Sequence, residues 1–140
     1  MIVNYGSAKW QGGLKDGKGV ISTKSGALSD QPYGFNTRFE GKPGTNPEEL
    51  IGAAHAACFS MALSKILAEA GVTEVTIQTT SKIGLDQEGD GFAIKTAHLS
   101  TTITGTGDKA VIEDAARKAE KGCPVSKVLN AEITMEVTVA

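Results

Sequence analysis

The stretch that most restricts the fold runs from Asn46 to Gly71. Asn46-Pro47-Glu48-Glu49 has the form of a helix start: Asn can cap free N–H groups, Pro fits the first helical position, and two acids suit the positive helix end. Nothing interrupts the pattern before Gly71 except the tolerable Gly52, so the sequence predicts one helix from Pro47 to about Ala70. From Leu50 to Leu63 apolar or small residues occupy every face instead of one stripe. A helix that is apolar all round must be buried all round, which is hard for a domain of 140 residues. Two arrangements satisfy it: a curved sheet wrapped around a central helix, or a second subunit covering the remaining face.

The flanking segments read as strands. Val3 to Trp10 and Val20 to Thr23 are short runs separated by glycine turns, and Gly34 to Glu40 is a further candidate strand. Beyond Gly71, Val75, Ile77, Thr79, Ser81 and Ile83 share one face, and Glu88-Gly89-Asp90-Gly91 turns the chain into Phe92 to Thr104. In that strand Phe92 and Ile94 point one way and Leu99 and Ile103 the other, so a break in register is expected near Thr96. A second helix is predicted from Asp108 to Lys121, with Gly122 as its stop. The last element alternates cleanly, with Ile133, Met135, Val137 and Val139 on one side, and is expected as an antiparallel strand with one wet face. With no repeat and no shift in composition, residues 1–140 read as a single domain.

Composition narrows the partners. Fourteen Lys and Arg against sixteen Asp and Glu give a formal net charge of −2, with no basic cluster beyond Lys9, Lys15 and Lys18, which argues against nucleic acid or an anionic membrane. The longest apolar stretch, Ile51 to Leu63, is interrupted by His55 and Ser60, and its 13 residues fall short of the ~20 needed to cross a bilayer. The N-terminus lacks the features of a secretory signal, so a cytoplasmic protein is expected, in which two cysteines are reactive or simply buried.

Cys58 lies mid-way along the apolar helix, a setting in which a thiol is ordinarily an inert small hydrophobe. Cys123 sits in Gly122-Cys123-Pro124-Val125-Ser126, which reads as a helix stop, a cap position and a proline-started short helix, a place that suits a reactive sulfur. His55 and Cys58 stand three apart, and with His98 and Cys123 would make four metal ligands, but no Cys-x-x-Cys or His-Glu-x-x-His run supports zinc, His55 reads equally as a packed or hydrogen-bonded core histidine, and His98 sits on an ordinary strand. A Cys58–His55 nucleophile for acyl transfer lacks any marked oxyanion hole. Arg38, in Asn36-Thr37-Arg38-Phe39-Glu40, is either a surface arginine or a guanidinium that stabilises a thiolate. Glu48, in the first helical turn, is accounted for by the helix dipole alone.

Three blocks together are more specific: Gln31-Pro32-Tyr33-Gly34-Phe35-Asn36-Thr37-Arg38-Phe39-Glu40-Gly41, the stretch from Gly44-Thr45-Asn46-Pro47-Glu48-Glu49-Leu50 through His55-Ala56-Ala57-Cys58-Phe59-Ser60, and Gly122-Cys123-Pro124-Val125-Ser126. In this order they resemble the osmotically inducible and organic hydroperoxide resistance proteins, the OsmC/Ohr family, and the Phe-Asn-Thr-Arg-Phe block and Val125 look like its OsmC branch. The resemblance implies thiol-dependent reduction of organic hydroperoxides and hydrogen peroxide. It makes Cys58 the peroxidatic cysteine, oxidised to a sulfenic acid, and Cys123 the resolving cysteine that closes a disulfide. It makes Arg38 the group that stabilises the thiolate and orients the peroxide, and Glu48 the carboxylate that holds Arg38. It further implies an external dithiol reductant such as a lipoylated protein, and no metal, haem or flavin.

The physical reading then changes for Cys58, since a thiol in an apolar helix stays protonated unless a cation is brought to it. Ten residues separate Glu48 from Cys58, which places their backbones roughly 15 Å apart on one helix. That spacing suggests that Arg38 and Glu48 of one subunit serve Cys58 of the other. The expected fold is therefore α+β, with antiparallel β-sheets wrapped around a central buried helix in an intertwined homodimer. A non-enzymatic small-molecule binding protein on the same scaffold is the alternative, although it would need none of the set Cys58, Cys123, Arg38 and Glu48.

Overall fold

The computed structural model describes residues 1–140 and divides into two units, Met1–Leu50 and Ile51–Ala140. In the first, short extended runs form an antiparallel sheet of β1 (Gly6–Gln11), β2 (Lys18–Thr23) and β3 (Gln31–Tyr33), in that order. Gly19 on β2 stands opposite both Trp10 and Tyr33, whose ring centroids are 5.4 Å apart. A methyl group on Gly19 would collide with the Tyr33 ring and come within 2.7 Å of the Trp10 ring. The bare backbone there is what allows the two rings to meet.

Gly34 to Glu40, expected as a strand, contains instead a short helix, α1 (Phe35–Phe39). Thr37 explains the difference: its hydroxyl accepts from the Gly34 N–H at 2.9 Å and donates to the Thr45 carbonyl at 2.8 Å. The free donor at the helix start is thus satisfied locally, with no ladder needed. Asn46 then caps α2 (Pro47–Glu69) as its sequence position foretold, its Oδ1 accepting from the Glu49 N–H at 2.8 Å. The Asn46 amide also donates to the Thr37 carbonyl at 3.2 Å, which clasps α1 to the first turn of α2.

In the second unit, β4 (Thr73–Glu88), β5 (Gly91–Thr106) and β6 (Glu132–Val139) make one sheet with β5 in the middle. β4 and β5 form a long antiparallel hairpin, and the expected break in register is present: Gly84 pairs with Thr96 but Leu85 with Ile94, leaving Lys95 as the extra residue. That single insertion keeps Ile94 on the same face as Ala97 and Leu99 despite their odd and even numbers. β6 differs from the sequence-based expectation, running parallel to β5. The reason is the connection, since α3 (Lys109–Gly122) and α4 (Pro124–Val128) carry the chain back along the sheet before β6 begins. Its alternation is as expected, with Ile133, Met135, Val137 and Val139 packed against the core.

α2 buries one stripe within this unit, Gly52, His55, Phe59, Leu63 and Leu67, at the spacing of one helical face. α3 adds Ile112, Ala115, Ala116 and Ala119, small residues that let it lie close. Phe59, Leu63, Leu67, Leu99, Ile103 and Ile112 are all removed from water, each worth roughly 1.5–3 kcal/mol. Another face of α2 remains open, with Ala53 and Ala57 exposed and Met61 at 76%. The helix is longer in effect than its uninterrupted apolar run: 23 residues, with a mean hydropathy of 1.5 over its best 18, meet the length and composition of a bilayer span. In this fold the same helix carries His55, fully buried and hydrogen-bonded through both ring nitrogens to Ser81 and Ser126.

Candidate active site

The first unit positions a charged pair. Arg38 projects from α1 and Glu48 from the first turn of α2, elements already clasped together by Thr37 and Asn46. The guanidinium donates through Nη2 to Glu48 Oε1 at 2.7 Å and through Nε to Oε1 and Oε2 at 3.1 and 3.2 Å. Such a fork fixes the plane of the guanidinium as well as its place. Arg38 also lies over the Phe39 ring, at 5.5 Å from its centroid. Arg38 borders a cavity of about 170 Å³ lined by Trp10, Leu14, Tyr33, Phe35 and Phe39, so a cation stands at the edge of a mostly aromatic hollow.

The second unit positions the two sulfurs, both present as free thiols. Cys58 lies on α2 and Cys123 between α3 and α4, where Gly122 ends one helix and Pro124 begins the next. Burial pushes the Cys58 thiol above its ordinary pKa and the neighbouring Cys123 sulfur adds to the rise, while the Val125 N–H, donated to Cys58, works against both. The two sulfurs are therefore neighbours. Cys123 is wholly buried. Its Sγ accepts from the Ser126 N–H at 3.3 Å and donates to Ser126 Oγ at 3.3 Å.

His55 belongs to this second sulfur and not to Cys58, its neighbour three residues on. Its Nε2 is 2.9 Å from Ser126 Oγ and its Nδ1 is 2.7 Å from Ser81 Oγ. Burial holds its pKa below the ordinary imidazole value. His98 is elsewhere, 2.6 Å from Thr134 on the exposed face of β5, so the four residues weighed as metal ligands are not brought together, and no group of three or more such side chains is. Ser126 and Ser81 carried no weight in the sequence analysis. Ser126 was findable, because a residue three beyond a cap position returns its N–H to the capping side chain; Ser81 was hidden among alternating strand residues.

An α+β fold in which a mid-helix cysteine interacts with a second cysteine at a helix start defines a two-thiol protein. The chain belongs to the OsmC-like protein family, whose model matches residues 39–138. It is 57% identical over 136 residues to the peroxiredoxin OsmC of Escherichia coli, covering 96% of this chain and 95% of that one. It is 35% identical over 103 residues to an organic hydroperoxide resistance protein of Xanthomonas axonopodis, covering 71% and 70%, which agrees with the OsmC-like character of its blocks. Among solved structures, the organic hydroperoxide resistance protein OhrB of Bacillus subtilis superposes with a TM-score of 0.69 at 26% identity, covering 96% of this chain and 98% of that one.

Proposed function

We propose that this protein is a cysteine-based peroxidase that reduces organic hydroperoxides and hydrogen peroxide. The observation that carries the reading is the pair Cys58 and Cys123, two free thiols that are neighbours at the start of α4. Relatives named for peroxiredoxin and hydroperoxide resistance activity support it. In the first step the Cys58 thiolate attacks one oxygen of the O–O bond, becoming a sulfenic acid while the alcohol leaves. In the second, Cys123 attacks the Cys58 sulfur, the S–O bond breaks, and a disulfide and water result. An external dithiol, with a lipoylated protein as the candidate donor, returns both thiols by exchange, as a reducing cytoplasm would require.

A thiol raised by burial needs a cation to ionise near neutral pH, and Arg38, held by Glu48, is the group we assign to that task. The open face of α2 and the ~15 Å that ten helical residues span support an arrangement in which a second copy covers α2 and brings its Arg38 and Glu48 to Cys58. In this reading residues 1–140 act as one domain, completed as a homodimer. The test is thiol titration of the reduced protein before and after one equivalent of cumene hydroperoxide. Rapid loss of two thiols per chain supports the peroxidase. Unchanged thiols would leave a small-molecule binding protein as the better account.

A further inference from the structure

We propose that Ser126 and His55 form a proton relay for the resolving step, carrying the Cys123 thiol proton away as its sulfur attacks Cys58. The inference rests on the peroxidase reading and assigns residues that the reading leaves without a role. Both lie in the second unit, and the whole chain of contacts is buried: Cys123 and His55 are fully enclosed and Ser126 is 7% exposed.

The hydrogen bonds have one consistent direction. Cys123 S–H donates to Ser126 Oγ, so the single hydroxyl proton of Ser126 is free to donate to His55 Nε2 at 2.9 Å. Nε2 is then the acceptor nitrogen and Nδ1 carries the ring proton, donated to Ser81 Oγ at 2.7 Å. In that tautomer Ser81 Oγ takes the ring proton, and the nitrogen facing the sulfur is the one that can receive a proton. Burial favours the neutral ring, which keeps the acceptor empty until it is needed.

The Cys123 proton moves to Ser126 Oγ while the Ser126 proton moves to His55 Nε2. The resulting sulfur anion is held by the Ser126 N–H and donates an electron pair to the Cys58 sulfur, whose S–O bond breaks. Hydroxide leaves Cys58 and takes up one proton while His55 gives one up, so sulfenic acid and thiol become a disulfide and one water. No outside oxidant is consumed. Buried water is not required, since the serine hydroxyl spans the gap between sulfur and ring.

Ser126 is catalytic in this second step only, with His55 acting through it, and the experiment separates that step from the first. Reduced protein is mixed rapidly with cumene hydroperoxide and quenched at intervals with a dione reagent and an alkylating agent, and mass analysis reads Cys58 sulfenic acid and disulfide separately. Ser126→Ala should slow disulfide formation about a hundredfold, in the usual range for a lost acid–base group, and sulfenic acid should accumulate. Ser126→Thr, which keeps a hydroxyl, should restore the rate, and His55→Gln should reproduce the Ala variant. In mixtures of light and heavy water the wild-type resolving step should show a bowed proton inventory, the mark of two protons in flight, and this readout holds even if a variant fails to fold. Disulfide formation at the wild-type rate in Ser126→Ala, a linear inventory, or equal slowing of both steps would overturn the relay. A wild type that forms neither sulfenic acid nor disulfide would overturn the peroxidase reading, and the relay with it.

Discussion

Gly52 on α2 lies against the backbone of Ser81 on β4: a methyl group at Gly52 would come within 2.7 Å of the Ser81 carbonyl oxygen. Helix propensity alone favours Ala over Gly by about 1 kcal/mol. The contact is with backbone, however, which cannot swing aside as a flexible side chain would. The helix must approach this closely for His55 to reach Ser81 Oγ at 2.7 Å. Gly52→Ala should therefore destabilise the protein by roughly 1–3 kcal/mol, the usual cost of overpacking, despite its better propensity. Urea denaturation checks the sign, and a more stable variant would mean that the helix can move away freely.

The two cysteines should separate by kinetics. Cys58→Ser should abolish peroxide consumption, whereas Cys123→Ser should complete one turnover and stop at a sulfenic acid trapped by a dione reagent. Equal first-turnover rates in wild type and Cys58→Ser would refute the assignment of roles.

Arg38→Ala should slow the first step at neutral pH by about tenfold or more, because a nearby cation raises the fraction of thiolate in that proportion. The Arg38–Glu48 pair is partly exposed, so its loss should cost about 1 kcal/mol of stability or less. Glu48→Gln should act in the same direction and more weakly, since the carboxylate holds the arginine and does not meet the sulfur in this reading. Stopped-flow rates with thermal melts on the same samples would test both parts, and unchanged kinetics in Arg38→Ala would return it to an ordinary surface role.

Acid should find His55 before it finds the rest of the core. Its folded pKa lies below the ordinary imidazole value because burial disfavours the charged ring. The unfolded chain therefore binds a proton first as pH falls, and the stability contributed by the neutral ring is full above about pH 6.5 and is lost progressively below it. His55→Gln should be less stable at neutral pH yet show a flatter decline between neutral and mildly acidic pH. Denaturation midpoints across that range decide it, and parallel slopes for the two proteins would count against the assignment.

Much of the fold was legible because its signals are local. The Asn46 cap, the limits of α2, the break in register near Thr96 and the inward face of β6 each depend on residues close in sequence. What escaped depends on distant partners. α1 forms where a strand was expected because Thr37 reaches Thr45, and β6 is parallel because of the path taken by α3 and α4. His55 was legible as a hydrogen-bonded core histidine, but not its partners, which are 26 and 71 residues away. Spacing along one helix gives no indication of such pairings, since they are set when sheet and helices pack.

The complete enclosure of Cys123 bears on how the molecule ages. An oxidant diffusing from bulk solvent can reach the partly exposed Cys58 far more readily than a sulfur sealed behind Ser126 and His55. Irreversible damage under excess peroxide should then accumulate at a single atom, as sulfinic and sulfonic acid on Cys58, while Cys123 is worn out only through the encounter for which it is released.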